Sequence, residues 1–400
     1  MSLTLPHCID TTTQASCPSV LWQADAWHPQ RWAVVVIPAK DEADSLPATL
    51  AALAAQTDAQ GRPLTPNDFE VLLLANNCQD TTAAVGREFG RQHPGLAVHV
   101  AELALPAREA HVGRARRLLM DAACRRLQGS RHPRAFIAST DADTCVAPTW
   151  LATIRAEVQA GADAVGGRIL THTTDPACPV RRCQLLDATY QVLRSQLEHL
   201  LDPDEADPWP RHHQHFGASL AVTVEGYQRV GGLPVVPYLE DEALFQALRR
   251  HDLRVRHSPQ VRVYTSSRQQ GRVAVGLSWQ LREWAGLLED GNEPLVDHPV
   301  QLISYWQNRC RLRKLWRSAQ AGAPVTASVA ACGPVAAALL LPSYDLWRKM
   351  RQCPSFGELW EWVEARRRAK LASHGPWPQL PLRAAVAVLR QEIARLAPCC

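Results

Sequence analysis

From about residue 33 the chain alternates short, mostly apolar runs with segments whose apolar residues recur every three or four positions. Ala33–Ile37 (AVVVI), Phe69–Leu74 (FEVLLL), Leu96–Val100, Ala135–Ser139 (AFIAS) and Ala162–Val165 have strand length, and their continuous apolar character suits strands buried in a parallel sheet. Between them fall four helical patterns. The first has Ser45 and Pro47 near its start and carries Leu46, Leu50 and Leu53 on one face. The second starts near Asp80, carries Val85 and Phe89 and stops at Gly90; the third is the Arg-rich stretch Val112–Leu127; the fourth carries Leu151, Ile154 and Val158. This alternation predicts an α/β domain of βαβ units with right-handed crossovers and a mostly parallel sheet flanked by helices. Three regions follow: a polar, irregular extension over 1–30, the α/β domain over 31–275, and a helical C-terminal region over 276–400.

Composition narrows the classes. The chain has 400 residues, 46% hydrophobic and 20% charged, which excludes whole-chain disorder. Its net charge of +4 is too mild to argue for nucleic acid as a partner. Twelve Cys occur without a single CxxC pair, so neither a disulfide scaffold nor a zinc site is indicated. The N-terminus lacks a basic start followed by an apolar run, so no signal peptide is read and a cytoplasmic protein is expected. Ser318–Tyr344 is uncharged and long enough to span a bilayer, but it is Ala-rich and broken by Pro324, Pro334 and Pro342. A buried helix pair is the expectation there.

In a parallel sheet, ligands bind beyond the carboxyl ends of the strands. Neither GxGxxG nor GxxxxGK[ST] occurs, which excludes the dinucleotide fingerprint and the P-loop. The first run is followed by Pro38-Ala39-Lys40-Asp41-Glu42, the second by Asn76-Asn77-Cys78-Gln79-Asp80-Thr81-Thr82 and the fourth by Ser139-Thr140-Asp141-Ala142-Asp143. Asp141 and Asp143 stand two apart, so on extended backbone both carboxylates face one way. Two such oxygen donors suit Mg²⁺ or Mn²⁺ bridged to a diphosphate. A pair of helix-capping aspartates before Pro148 explains them equally well.

The same motifs, with Gly113-Arg114-Ala115-Arg116-Arg117 between the second and the last of them and Gly231-Gly232 and Glu240-Asp241-Glu242 following, resemble in their order those of the family 2 glycosyltransferases, which have the GT-A fold. The resemblance covers about residues 31–275. It implies that Pro38, Lys40, Glu42 and Asp80 hold the nucleoside of a nucleotide-diphosphate-sugar donor. It implies that Asp141 and Asp143 bind the divalent metal and the diphosphate, and that Asp241, beside Glu240, is the general base on a hydroxyl acceptor. With one base and in-line attack the expected outcome is inversion. Arg116, Arg268 and Arg272 are candidates for charge-assisted hydrogen bonds to the departing phosphate. His257 stands where some relatives place a third metal ligand. Two departures stand out: Arg117 replaces the Asn usual in that motif, and the stretch up to Arg272 lacks the Q-x-x-R-W of many relatives. Acidic residues also open helices for dipole reasons alone, which is the plain alternative for Glu240-Asp241-Glu242.

His212, His213 and His215 lie in a Pro- and Asp-rich stretch with no metal-ligand spacing, and an acceptor-side loop is the preferred reading. Arg309, Arg311, Arg313, Lys314 and Arg317 surround Trp316, and Arg366–Arg368 with Lys370 follow Trp360 and Trp362. Such segments are either solvated helix faces or a peripheral contact with an anionic membrane, the latter suited to a lipid-linked acceptor. Two other functions stay open at this point: a non-catalytic nucleotide-sugar sensor or scaffold, and nucleotidyl transfer on a related fold.

Overall fold

Continuous apolar runs become fully buried strands. β1 (Ala33–Ala39) and β2 (Phe69–Asn76) have no exposed residue and pair in parallel, Ala33 opposite Phe69 and Ile37 opposite Leu73. Between them α1 (Leu46–Ala54) buries Leu46, Leu50 and Leu53 against the sheet core. α2 (Thr82–Gln92) leads to β3 (Val98–Leu103), and α3 (Val112–Leu127) to β4 (Phe136–Ser139). Then come β5 (Thr144–Val146), α4 (Trp150–Gln159), β6 (Ala164–Thr171), α5 (Pro179–Leu201), β7 (Leu220–Thr223), α6 (Val224–Arg229), α7 (Glu240–Arg250) and β8 (Val255–Thr265). The chain closes with α8 (Leu277–Glu289), β9 (Leu295–Asp297), α9 (Pro299–Gln320), α10 (Val329–Ala338), α11 (Ser343–Gln352), α12 (Phe356–His374), β10 (Gln379–Pro381) and α13 (Leu382–Leu396). This computed structural model describes residues 22, 28–171, 175, 177–265, 276–321, 328–374 and 378–396. Arg268 and Arg272 lie outside the described residues.

Eight strands form one sheet in the order β3-β2-β1-β4-β7-β6-β8-β5. β3, β2, β1 and β4 run parallel, as do β6 and β8, while β7 is antiparallel to both β4 and β6. The α/β expectation therefore holds, with β7 and the edge strand β5 making the sheet mixed. This topology brings several distant segments to one rim. The loops after β1, β2 and β4 emerge on the same edge, the segment entering the reversed strand β7 starts there, and the first turn of α3 opens near it.

The chain divides into two compact units, one of residues 1–174, 214–245 and 255–282, the other of 175–213, 246–254 and 283–400. The first contains the sheet. Its core includes Trp32, Ile37, Leu73, Phe136 and the fully buried Trp150, whose indole N–H donates to Ser219 Oγ at 3.0 Å.

In the second unit a core of Leu312, Cys332, Val335, Ala336, Leu346, Met350, Leu359 and Val363 joins α9, α10, α11 and α12. The expected buried helix pair is not what the described part of the uncharged stretch forms: it holds α10, which leaves Val329, Ala330, Pro334, Ala337 and Ala338 exposed, while α11, bent by 109° from α10, is a charged helix that begins only at its end. Among the described residues no single helix is long and apolar enough to cross a membrane. Arg309 and Arg313 do not join a solvated cationic face: both guanidiniums bind Asp202, and Arg309 also reaches Glu198 at 2.6 Å. Burial alone raises the Glu198 carboxyl, but Arg309 and Arg211 reverse this and hold it at about 2. Asp252, in the left-handed region at φ 51°, accepts the backbone N–H groups of Phe356 and Gly357 at 2.7 and 2.8 Å and so caps α12.

Candidate functional site

The loops leaving β1 and β2 are built as a pair. Asp41 and Asn77 both turn with positive φ, 54° and 53°, a conformation that short polar side chains tolerate best. Asp41 Oδ1 accepts the Gln79 N–H at 2.6 Å, and Asp80 Oδ2 accepts the Ala43 N–H at 3.0 Å. Asp80 Oδ1 also receives the Thr82 N–H at 2.9 Å, and Thr82 Oγ1 accepts the Glu42 N–H at 2.8 Å. Asp80 thus stabilises the start of α2 and cross-links the two loops at once. Pro38 is buried within β1 opposite Leu74, Glu42 is buried beyond it, and Lys40 is the exposed residue between them. Ligand atoms of Asp41, Cys78 and Asp80 lie within 4.8 Å of one another. This grouping was not read from the sequence, where Cys78 carries no signal. Its loop-bridging hydrogen bonds account for it without an ion.

The centre of the rim is organised by Arg116. α3 carries it one turn in from His111, whose ring accepts the Arg114 N–H and caps the helix. Gly113 gives α3 its close approach to the chain, since a Cβ there would lie 2.0 Å from the Val236 carbonyl oxygen. The Arg116 guanidinium, only 4% exposed, binds Asp141 Oδ1 at 2.6 Å on one side and Glu240 on the other. Glu240, equally buried, opens α7 directly after Leu239, a non-glycine residue at φ 59°. That left-handed turn is a strained one for a leucine and aims the start of α7 at Arg116. Gly217 lies flat over the same guanidinium, where a Cβ would come within 2.4 Å of Arg116 Cζ. Its N–H donates to Asp241 Oδ2 at 2.8 Å, while Asp241 Oδ1 accepts the Glu242 N–H at 2.8 Å.

Two other carboxylates act on Asp141 here through their charge, Asp143 two residues on and Asp241 from α7. Burial raises the Asp141 carboxyl most, Arg116 opposes it, and the negative charges of Asp143 and Asp241 add to the rise, leaving it at about 6. The Asp141 side chain nevertheless keeps 39% exposure, so it is open to a ligand from solvent. Thr140, fully buried just before it, leaves its hydroxyl without a hydrogen-bond partner. Clustered carboxylate oxygens that repel one another fit a hard divalent cation, which relieves that repulsion.

His257 belongs to a different cluster. Its Nε2 faces His215 Nδ1 at 3.3 Å, and His215 Nε2 meets Glu242 at 2.7 Å while its ring stacks on Phe245 with centroids 3.8 Å apart. No convergence of His257 with Asp141 and Asp143 is seen among the described residues comparable to that of Asp41, Cys78 and Asp80. Arg117, the departure from the usual Asn, passes its guanidinium against Gly232 (φ 85°) to donate to the Leu233 carbonyl at 2.8 Å and to Asp121 at 2.7 Å. The Gly231-Gly232 turn is thereby tied to α3. Sequence reasoning missed Gly217 as part of the site, and it had His215 only on an acceptor-side loop and Glu242 only within the Glu240-Asp241-Glu242 motif; a glycine followed by small residues just ahead of a short apolar run was the one available signal for Gly217.

Two solved structures similar to this chain are the mannosyltransferase PcManGT from Pyrobaculum calidifontis in complex with GDP-Man and Mn²⁺ and S. aureus TarS 1-349 in complex with UDP-GlcNAc. The first is 20% identical over 85% of this chain and 92% of its own, with a TM-score of 0.45. The second is 13% identical over 84% and 92%, with a TM-score of 0.42. No curated protein matches the chain in sequence. Residues 34–182, which build β1 to β6 and carry Arg116, Asp141 and Asp143, match the family described as Glycosyl transferase family 2.

Proposed function

We propose that this protein transfers a sugar from a nucleoside-diphosphate-sugar donor to a hydroxyl acceptor, with inversion, using Asp241 as general base. The observation that supports the reading is one buried guanidinium, Arg116, bound to Asp141 after β4 and to Glu240 beside Asp241, with the charges of Asp143 and Asp241 acting on Asp141. Asp141 and Asp143 would hold a divalent cation, Mg²⁺ or Mn²⁺, which when bound offsets the charge growing on the departing diphosphate. The loops after β1 and β2, with Lys40 exposed and Asp80 locked between them, form the nucleoside side.

Both Asp241 oxygens already accept one backbone N–H each, which fixes the carboxylate plane and leaves further lone pairs for an acceptor hydroxyl. Asp241 takes the hydroxyl proton as the oxygen bonds to the anomeric carbon and the bond to the diphosphate oxygen breaks, its electron pair leaving with the nucleoside diphosphate. Glu240 differs in what it does. Buried against Arg116, it keeps the first turn of α7 in place rather than touching substrate. Arg116 is likewise a positioning residue, held by two carboxylates instead of reaching for phosphate.

The test is a pair of variants. Asp141→Ala/Asp143→Ala should lose Mn²⁺-dependent binding of nucleotide sugars, read by thermal shift across a donor panel, while Asp241→Asn should keep donor binding and lose slow donor hydrolysis and transfer. Wild-type donor binding in the double variant would refute the cation assignment, and undiminished turnover in Asp241→Asn would refute the base.

A further inference from the structure

We propose that the face of the second unit formed by α9, α10 and α11 docks on an anionic lipid bilayer, lying in its surface rather than crossing it. Between Pro299 and Gln352 the chain has eight Lys and Arg against one acid, Asp345. The structure sorts these cations. Arg309 and Arg313 turn inward to Asp202, and Lys349 pairs with Glu358 at 3.1 Å. Arg311, Lys314 and Arg317 share the other side of α9 and are exposed, as are Arg348 and Arg351 on α11.

Beside that cationic row stands α10, which has no charged residue at all. Cys332, Val335 and Ala336 cover one side of it. The side left in solvent is Val329, Ala330, Pro334, Ala337 and Ala338, continued by Leu340 at 46% exposure. A helix on an ordinary soluble surface puts polar residues there, and one apolar all round belongs in a core or in lipid. Tyr344, 57% exposed, lies tilted against Trp347 with ring centroids 5.8 Å apart, and Arg351 lies over the Trp347 ring at 5.1 Å. Tyrosine and tryptophan with neighbouring arginine are the residues that settle at the headgroup level of a membrane. At the bend, Lys370 donates to the Leu340 carbonyl, adding a cation beside the exposed leucine. Between α9 and α10 an open recess of about 330 Å³, with Arg311, Lys314 and Ser318 along its α9 side and Val335 in its floor, has the chemistry to seat a lipid phosphate. A second copy of this chain fits poorly, because a two-fold contact would set Arg311, Lys314 and Arg317 against their own images.

Docking of this kind is a matter of binding alone and stands whether or not the transferase reading holds. The full-length protein is sedimented with vesicles of phosphatidylcholine alone and of phosphatidylcholine with phosphatidylglycerol in equal parts. Binding is expected only to the anionic vesicles, weakening steeply with salt. Arg311→Gln/Lys314→Gln/Arg317→Gln should weaken it by roughly fivefold per cation, about a hundredfold in all. Leu340→Glu, at an exposed position that folding tolerates, should abolish it with an unchanged circular dichroism spectrum and melting curve. Equal binding to neutral vesicles, binding that survives both variants, or a wild-type dimer that Leu340→Glu dissociates in sedimentation velocity would each overturn the proposal.

Discussion

Replacing Arg116 by methionine tests the organisation of the rim most directly. The guanidinium and the Glu240 carboxylate it holds are each 4% exposed. Methionine fills much of the same volume, so the loss is one of charge rather than of packing. Asp141, the other partner, is 39% exposed and can be rehydrated; Glu240 cannot. Removing one member of a buried pair typically costs ~3–5 kcal/mol, because the remaining charge has neither partner nor water. For a unit of this size that corresponds to a fall of roughly 6–20 °C in the melting transition. Glu240→Gln should cost less, since Arg116 keeps Asp141. The double variant Arg116→Met/Glu240→Gln should recover much of the single-variant loss, because no buried charge is left uncompensated. Urea and thermal unfolding of the four proteins at neutral pH provide the cycle. An Arg116→Met cost below ~1 kcal/mol, or single-variant costs that simply add, would refute the claim that this pair holds α7 to α3.

Gly217→Ala should disrupt the same region sterically, since its Cβ would meet Arg116 Cζ at 2.4 Å; reduced donor hydrolysis together with a lowered melting temperature is expected, and a neutral alanine would contradict the close approach. Glu198, held at about 2 by Arg309 and Arg211, contributes stability that is full above its ordinary value and lost as pH falls from there through about 2. The wild type should therefore lose about 3 kcal/mol between pH 4.5 and pH 2 from this group, and Glu198→Gln should lack that part of the slope in acid unfolding. Asp252→Ala removes the two capping bonds of α12 and should cost about 1 kcal/mol in urea unfolding, while Asp252→Asn should retain part of it.

What could be read from the sequence follows the range of the interactions involved. β1, β2 and β4 announce themselves because a strand buried on both faces must be apolar throughout, and AVVVI, FEVLLL and AFIAS are. β7 escapes because four residues carry no period, and β8 because it is long, alternates buried and exposed positions, includes Pro259 and slips register against β6 between Gly167 and Arg168. The division of the chain is hidden for a similar reason: residues 175–213 and 246–254 pack with the C-terminal helices, and composition marks neither boundary. Among the histidines, spacing along the chain gives no hint that His215 meets Glu242 and His257.

Arg116 shows why the remainder of the site needed the fold. A lone arginine in the first turns of a helix, beside motifs that resemble those of enzymes with nucleotide-diphosphate donors, reads as a phosphate ligand. Its actual partners are Asp141, 25 positions later, and Glu240, which arrives only after β7 has reversed direction and returned the chain to the rim. Because one guanidinium holds both, the strand end with the paired aspartates and the helix start with Asp241 share a single mechanical anchor. A displacement of Arg116 therefore shifts Asp141 and the start of α7 together, and Gly217, lying on the guanidinium while donating to Asp241, extends that coupling to Asp241. Lysine cannot replace it, because a single ammonium offers no planar fork to two carboxylates on opposite sides. Arg116→Lys should accordingly behave like Arg116→Met in donor hydrolysis despite keeping the charge, and wild-type hydrolysis in the lysine variant would mean that charge alone, not the fork, sets the geometry.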